Sequence, residues 1–278
     1  QANIRTAERA QLLESLGFSR LILARELSLE QIASIRRAVS CELEAFVHGA
    51  LCVSYSGQCY LSEHLTGRSA NRGCCTQPCR SRYDLEDADG AILLEDENLL
   101  FLKDLRRDGH IGALVDAGVT SFKIEGRLKN ASYVKNVVRA YRDVVDAAIA
   151  ERRRSDDASY EKASLGECLG GFSPDPNLTF TRGYTDYFIE GVRGRWRAVE
   201  AAGFLGECVG SVEGAPRRQG LSMSVRCRLR EQSSAREGYP IANGDGLVFA
   251  APSGETAGMR ADVVRAASGR GEADAGFV

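Results

Sequence analysis

The feature that most constrains this 278-residue chain is a cluster of cysteines in its first third. Five of the nine cysteines fall in one short stretch, at Cys52, Cys59, Cys74, Cys75 and Cys79. Glycines surround them, at Gly49, Gly57, Gly67 and Gly73. Because glycine lets the backbone turn sharply, several thiols can reach one centre. The sequence therefore predicts a metal or cluster site in residues 44–80.

The cysteine spacing alone leaves two kinds of site open. Disulfides fit poorly, because the sequence shows no signal peptide and a cytoplasmic protein keeps its thiols reduced. Structural zinc prefers closely paired cysteines at both ends of its site. Here three residues separate Cys75 from Cys79, but six separate Cys52 from Cys59. Zinc and an iron–sulfur cluster both remain possible on this spacing.

Two stretches of the sequence resemble the collagenase-like peptidase U32 family. The first reads EAFVHGALC at residues 44–52 and YSGQCYLS at 55–62, and the second reads SFKIEGRLK at 121–129, followed by Tyr133. The resemblance covers most of residues 15–150. Many members of this family are oxygen-independent hydroxylases with a [4Fe–4S] cluster. The resemblance thus implies an iron–sulfur enzyme, with zinc as the alternative metal.

The resemblance also implies which thiols bind the cluster. The run Gly73-Cys74-Cys75 matches the family's Gly-x-Cys pattern, which puts Cys74 in the variable place. The ligands implied in this way are Cys52, Cys59, Cys75 and Cys79.

A further stretch, TFTRGYTDYF at residues 179–188, is similar to the RGYT segment that follows the barrel in RNA-modifying members of the family. The branch that the chain most resembles makes 5-hydroxycytidine in 23S ribosomal RNA with prephenate as the hydroxyl donor. The resemblance therefore implies an RNA hydroxylase whose partners are 23S rRNA, or its precursor, and a small anionic donor. The alternatives are a tRNA-uridine hydroxylase, a ubiquinone-pathway hydroxylase subunit and a U32-type peptidase.

The sequence gives the peptidase alternative little chemical support. It contains no recognisable Ser–His–Asp triad, no Cys–His pair in a known local signature and no HExxH helix. That alternative depends on the original description of the family.

Strands and helices alternate along the first half of the chain. Apolar runs at residues 20–24, 42–48 and 119–125 predict strands, and helical spacing of apolar residues predicts helices around them. Alternation of this kind implies a parallel sheet covered by helices. Three or four such units are present, whereas a (β/α)8 barrel needs eight. We predict an α/β fold that forms the C-terminal half of a (β/α)8 TIM-like barrel, with its front strands upstream.

The first two helices carry recognisable start signals. Thr6 and Ser28 are predicted to cap them. In the first helix, Leu12, Leu13 and Leu16 are predicted to face the core.

The second half of the chain has a different composition. Residues 151–164 are charged and lack periodicity, which predicts a linker over 151–178. Strand-like runs between glycine turns occur at residues 206–212, 221–230, 246–250 and 258–264. They predict a small β-barrel-like domain over 179–278 that is incomplete at its end. The partial barrel with its cluster loop would occupy residues 1–150.

Charged side chains fall at the carboxyl ends of the predicted strands, where a (β/α)8 barrel has its active face. Alternation along the strand directs Lys123 and Glu125 to the same side. In one interpretation these two form a structural ion pair. In the other, Lys123 and Arg127 receive an anionic substrate together with Arg25.

His48 precedes Cys52 by four residues and has three interpretations. It could form a hydrogen bond near the cluster, transfer a proton or be a satisfied core histidine. The predicted catalytic residues are His48, Lys123, Glu125 and Arg127. The predicted substrate-binding residues are Arg25, Glu26, Glu44 and Ser62. For Glu44 and Ser62 the argument is their place in the family signature.

Composition excludes a protein uniformly coated in positive charge. The formal net charge is −2, and no apolar run is long enough to cross a membrane. We expect a cytoplasmic protein without membrane contact and without a stable protein partner. Arginines concentrate late in the chain, where Arg226, Arg228 and Arg230 share one strand face and Trp196 offers a stacking surface. These residues form either a solvated face or an RNA-binding surface.

Overall fold

The chain divides into two compact units, Gln1–Phe204 (unit 1) and Leu205–Val278 (unit 2). The structure, a computed structural model, describes residues 2–127, 129–154, 160–164, 172–192, 196, 198, 210–219, 222–229, 241, 246–251, 256–261, 263–266 and 272–277.

Unit 1 combines helices and strands. Its helices are α1 (Ala7–Ser15), α2 (Leu29–Ala38), α3 (Leu61–Thr66), α4 (Ile111–Asp116) and α5 (Ala131–Arg154). Its strands are β1 (Arg20–Ile22), β2 (Glu42–Gly49), β3 (Tyr83–Glu86), β4 (Ile92–Glu97), β5 (Asp104–Arg106), β6 (Ser121–Ile124) and β7 (Tyr184–Thr185). None of the helices in the described part of the chain has both the length and the apolar composition needed to cross a bilayer.

Strand β2 is the centre of the main sheet of unit 1. It pairs in parallel with β1 and with β6. At its end, where His48 lies opposite Arg106, it pairs antiparallel with β5, and β7 runs parallel to β5. These elements confirm the α/β class. Because an antiparallel β5 is not part of a (β/α)8 pattern, the half barrel remains a prediction.

The boundary between the two units lies later in the chain than the predicted start of the second domain at residue 179. Strand β7 pairs with β5, so residues 179–204, which the sequence assigned to the second domain, belong to unit 1. The predicted linker over 151–178 also has contacts with this unit. Its first four residues complete α5, and the backbone N–H of Asp175 donates to the side chain of Asn136 on that helix at 2.7 Å.

Both predicted helix caps are confirmed. The Thr6 hydroxyl accepts a backbone N–H of α1, and Ser28 forms a complete capping box at the start of α2. The predicted inner side of α1 is partly wrong, because Leu12 and Leu16 are 59% and 67% exposed whereas Ala10 is fully buried. Leu13 does pack against the core.

Strand β2 is buried on both faces. Leu43 and Val47 join the main apolar core together with residues of α2, α4 and α5. On the other face, Phe46 forms a smaller cluster with Leu105 and Tyr187. Each large apolar side chain buried in this way contributes about 1.5–3 kcal/mol, so β2 is held firmly in place. The core therefore fixes the strand end that leads into residues 50–80, here called the cysteine loop.

Unit 2 is β-rich, with a four-stranded antiparallel sheet and a separate hairpin. The sheet contains β8 (Gly210–Gln219), β9 (Ser222–Leu229), β12 (Val263–Ala266) and β13 (Glu272–Phe277), in the order β12-β13-β9-β8. The hairpin pairs β10 (Gly246–Ala250) with β11 (Thr256–Arg260). The predicted strand at 258–264 is thus wrong in its bounds, since it spans parts of β11 and β12. Closure into a barrel remains a prediction.

Candidate functional site

The cysteine loop leaves the end of β2 through Gly49. This residue has a φ of +102°, and a side chain at this position would overlap the Glu125 carbonyl. The backbone N–H of Glu125 donates to the His48 carbonyl at 2.8 Å. Glycine is needed here because the ends of β2 and β6 approach so closely. The loop consequently begins beside both strand ends.

The four thiols that were predicted to bind the cluster lie near enough to influence one another electrostatically. Burial raises the pKa of the Cys52 thiol, and the thiols of Cys59 and Cys75 raise it further. Burial likewise raises the pKa of the Cys79 thiol, with added contributions from the other three. Cys74, by contrast, is exposed and belongs to neither set of neighbours. The loop therefore presents one group of four partly desolvated thiols.

Two of the predicted substrate-binding residues fasten this loop. The Glu26 carboxylate accepts the backbone N–H of Ser56 at 2.6 Å and its hydroxyl at 3.1 Å. The buried Ser62 hydroxyl donates to the Arg68 carbonyl at 2.7 Å and accepts the Thr76 N–H at 3.1 Å. These contacts give Glu26 and Ser62 a structural role in the loop. Contact of either residue with a substrate remains a prediction.

Arg25 and Lys123 both lie over the ring of Phe46, and Glu125 lies beside Arg25. The Arg25 guanidinium lies 3.8 Å from the Glu125 carboxylate and 3.7 Å from the centre of the Phe46 ring. The Lys123 ammonium lies 5.0 Å from the same ring centre. The ion pair of Glu125 is therefore with Arg25, not with Lys123 as one interpretation expected. Burial lowers the pKa of Arg25, and Glu125 and the Cys52 thiolate partly oppose that effect.

Arg127 and Glu44 lie in different surroundings. Arg127 is exposed, and its guanidinium donates to the Gly73 carbonyl of the cysteine loop at 3.4 Å. Glu44 lies deeper in the sheet, where it accepts the Ser121 hydroxyl at 2.8 Å and lies 3.8 Å from the Arg20 guanidinium. Glu44 thus links β1, β2 and β6. Arg127 lies at the rim of the cysteine loop.

His48 is only 1% exposed and is surrounded by the rings of Tyr133, Tyr141 and Tyr184. Desolvation lowers its pKa to about 4, with Arg106 adding to the effect, so the imidazole is neutral near pH 7. The Tyr141 hydroxyl donates to the Val47 carbonyl at 2.7 Å. Its oxygen therefore accepts from His48 Nδ1, 3.3 Å away, which leaves Nε2 with a lone pair.

Arg107 is a buried residue that the sequence did not single out. Its side chain donates to three backbone carbonyls, those of Phe46, Arg25 and Asp186, at 3.0–3.3 Å. Burial lowers its pKa to about 10. Arg107 fixes the ends of several strands relative to one another. Its three side-chain partners come from distant parts of the chain, so no local sequence pattern predicts this role.

A second group of cations lies beside Cys79 and was not predicted as a site. Arg80 and Arg182 line one cavity together with Cys79 and Asp104. Lys129 belongs to the same group, because the charges of Arg182 and Arg80 add to burial in lowering its pKa to about 8. Lys129 ends one family-like stretch, Arg182 lies within another and Arg80 follows Cys79, and this placement is the signal that could have found them.

The predicted RNA-binding arginines are partly described. Arg226 and Arg228 are exposed on β9, and Arg228 forms an ion pair with Glu213. Arg230 lies outside the described residues. The Trp196 ring packs edge-on against the Phe188 ring in the smaller core cluster of unit 1, with 5.1 Å between the ring centres. Trp196 is therefore not the free stacking surface that was expected.

Fold and site define an α/β protein in which a loop with four neighbouring thiols adjoins charged strand ends. Residues 1–195 match the family model described as Peptidase family U32. The chain belongs to this family.

Three relatives illustrate the range of the family. The chain is 44% identical over 264 residues to the 23S rRNA 5-hydroxycytidine C2501 synthase of Escherichia coli, covering 95% of this chain and 38% of that protein. It is 41% identical over 157 residues to tRNA hydroxylation protein P1 of Bacillus subtilis, covering 54% of this chain and 37% of that protein. It is 34% identical over 210 residues to a collagenase of Porphyromonas gingivalis, covering 70% of this chain and 48% of that protein. The chain spans less than half the length of each relative. No solved structure gives a significant match.

Proposed function

We propose that this chain carries the cluster-binding part of an iron–sulfur-dependent, oxygen-independent RNA hydroxylase. Its product would be 5-hydroxycytidine in 23S rRNA, and prephenate would donate the hydroxyl group. The observation that carries the proposal is the group formed by Cys52, Cys59, Cys75 and Cys79, with Cys74 outside it. Similarity to a protein named as an rRNA 5-hydroxycytidine synthase supports the choice of reaction.

The proposal favours an iron–sulfur cluster over a zinc ion. Tetrahedral zinc with Zn–S bonds of about 2.3 Å needs sulfurs roughly 3.8 Å apart. Among the described residues, the group with three ligand atoms within 4.8 Å of one another is His110, Asp186 and Glu190. No three of the described cysteines meet the same 4.8 Å criterion, a spacing compatible with the larger centre of this proposal. Burial of Cys52 and Cys79 disfavours a bare thiolate, so a positively charged metal centre would stabilise it.

A bound cluster would supply the redox chemistry, and the protein would bind and orient the two substrates. In this proposal Arg25, Lys123 and Arg127 offer positive charge to an anionic substrate beside the loop. Glu125 holds Arg25 in place, and neutral His48 keeps a lone pair on Nε2 for a proton. The donor would supply the hydroxyl oxygen in place of molecular oxygen, and because C–H to C–OH is a two-electron oxidation, the remainder of the donor or a separate electron acceptor would take up the two electrons.

The direct test is turnover by the whole protein. Purified without oxygen, it would be incubated with prephenate and unmodified 23S rRNA, and in parallel with unmodified tRNA, and the nucleosides would be analysed by mass spectrometry. We expect 5-hydroxycytidine in the rRNA and none without prephenate. If hydroxyuridine formed in the tRNA and no hydroxylated nucleoside formed in the rRNA, the substrate would be a tRNA and not 23S rRNA. Absence of any hydroxylated nucleoside from a cluster-loaded preparation would contradict the proposal.

Peptide hydrolysis is a second candidate, favoured by the match to a protein named as a collagenase. That match has lower identity and covers less of the chain than the match to the rRNA enzyme. Assaying the same preparation on denatured collagen distinguishes the two. Cleavage by both wild type and Cys52→Ser, without RNA hydroxylation by wild type, would favour the peptidase.

A further inference from the structure

Three side chains of metal-binding type meet in unit 1, where the start of α4 lies beside the turn that follows β7. His110, Asp186 and Glu190 each bring one ligand atom, and these atoms lie within 4.8 Å of one another. His110 Nε2 is 3.2 Å from a carboxylate oxygen of Glu190. The group contains no cysteine and none of the residues assigned above to a substrate. It is therefore a candidate site separate from the cysteine loop.

Buried neighbours hold the backbone of all three residues in place. Each of the three stands next to a buried residue in the sequence, and these neighbours are Ile111, Tyr187 and Ile189. The Asp186 carbonyl accepts the Arg107 side chain at 3.2 Å, and the Ile189 carbonyl accepts the backbone N–H of Leu29 at 2.9 Å. Tyr187 has a φ of +62°, a left-handed conformation that is rare for an aromatic residue. Because the backbone is already fixed, binding an ion would order little more than side chains.

The charge of the group favours a cation. Two carboxylates this close repel each other, and in the described part of the chain no lysine or arginine nitrogen lies within 4 Å of either one. Arg107 offsets part of the charge, since Asp186 opposes the fall in the Arg107 pKa. Its guanidinium nevertheless donates to backbone carbonyls and not to a carboxylate. A single guanidinium against two carboxylates leaves a negative balance, which a divalent ion would reverse.

The ligand types indicate which ion fits. Imidazole nitrogen suits zinc and other transition metals, whereas magnesium and calcium prefer oxygen ligands alone. Zinc accepts histidine together with carboxylates, and sites with three protein ligands keep a position for water. Tetrahedral bonds of about 2.0–2.2 Å place ligand atoms roughly 3.4 Å apart. The 3.2 Å between His110 and Glu190 is close to this spacing, and rotation of the Asp186 side chain would bring in the third ligand.

We propose that His110, Asp186 and Glu190 bind a zinc ion, with water in the fourth position. The ion would replace the hydrogen bond between His110 and Glu190 and link the start of α4 to the turn after β7. The proposal contains no covalent or redox step. It does not depend on the function proposed above, because neither RNA nor a hydroxyl donor takes part in it.

Zinc binding by the whole, cluster-loaded protein tests this site. Protein purified without oxygen would be dialysed to remove loosely bound metal and titrated with Zn²⁺ by calorimetry, as wild type, His110→Gln and Glu190→Gln. His64→Gln is the matched control, because His64 is an exposed histidine that follows an acidic residue on α3 but lies outside the group. We expect about one ion for each wild-type chain, at least about tenfold weaker binding in the first two variants, and no change in the control.

Thermal unfolding provides a second measurement. Without zinc, Glu190→Gln should unfold at the same temperature as wild type, because the Glu190 side chain is 62% exposed. Added zinc should raise the unfolding temperature of wild type and not that of the variant, since only the folded site binds the ion. An equal rise in both proteins would overturn the assignment of Glu190 as a ligand.

The other outcomes decide between a built site and general attraction to acidic groups. No saturable zinc binding by wild type would overturn the site, as would an equal loss of affinity in His64→Gln. Equal affinity for Mg²⁺ would show that the carboxylates attract any divalent ion, and it would also overturn the zinc assignment. The absorption spectrum after each titration shows whether the cluster is still present, so zinc bound by displaced iron is recognised.

Discussion

The cysteine loop is built from short pieces, whereas the end of β2 is held by a buried network. In the loop, α3 has six residues and two 3-10 turns have three each. At the end of β2, His48, Tyr141 and Arg107 are buried and joined by direct hydrogen bonds. The strand end is therefore preorganised by the protein itself. The loop, we infer, needs its metal centre to hold its shape.

The largest expected effect is loss of the cluster from the loop. Serine at Cys52, Cys59, Cys75 or Cys79 should abolish the iron–sulfur absorption, since each change removes one ligand. Cys74→Ser is the matched control and should retain the absorption, because this thiol is exposed outside the group. A cluster that survives in Cys75→Ser and is lost in Cys74→Ser would reverse the ligand assignment.

Metal removal should affect the two regions unequally. In hydrogen-exchange measurements on the whole protein, chelation of the iron should raise the exchange rates of residues 50–80 and leave those at the end of β2 unchanged. The physical reason is that hydrogen bonds and apolar packing hold the strand end without any metal. Equal loss of protection in both regions would show that the loop and the strand end unfold together.

Removing one tyrosine hydroxyl from each region shows how much that hydroxyl contributes to the free energy of unfolding. Tyr141→Phe should lower the free energy of unfolding by about 1–3 kcal/mol, because His48 Nδ1 loses its buried partner, whereas the Val47 carbonyl and the Arg107 N–H still bond to each other. Tyr83→Phe removes a single hydrogen bond to Pro78 near the cysteine loop and should cost about 1 kcal/mol. Urea unfolding of both variants measures the difference. Equal losses would contradict the importance of the buried network.

Sequence reasoning found the local features of both regions and missed the long-range ones. Ser28 was predictable because a capping box is a short pattern, and the thiols because they stand close together in the chain. Arg107 and the Asp104–Arg182 pair were not, since their partners lie more than 60 residues away. Leu12 and Leu16 follow a helical period yet are exposed, because tertiary packing and not periodicity decides which side is covered.

The stability of the strand end should also depend on pH. His48 has a folded-state pKa of about 4, below its ordinary value near 6.5, so folding favours the neutral ring. Its contribution to stability is complete above pH 6.5 and is lost as the pH falls toward 4, by an amount on the order of 3 kcal/mol. His48→Gln should flatten the stability curve in this window, and NMR titration should give a pKa near 4. An NMR pKa near 6.5 would contradict the buried, neutral assignment.

The smallest effect is expected in unit 2. Arg226→Ala combined with Arg228→Ala should weaken RNA binding modestly. The slope of log affinity against log salt concentration should fall by the amount expected for the loss of about one to two phosphate contacts. Affinity measured at two salt concentrations gives this slope, and the cluster absorption should not change. Arg20→Ala is the control, an exposed arginine of unit 1 with no proposed RNA contact. An unchanged affinity and slope would assign Arg226 and Arg228 to a solvated face.

The central claim is that four thiols of one loop hold an iron–sulfur cluster. The most direct measurement is the metal and sulfide content of the whole protein purified without oxygen, together with its absorption spectrum. The account predicts a brown protein with about four irons and four sulfides for each chain. A colourless protein that contains one zinc ion, and no iron or sulfide, would contradict it.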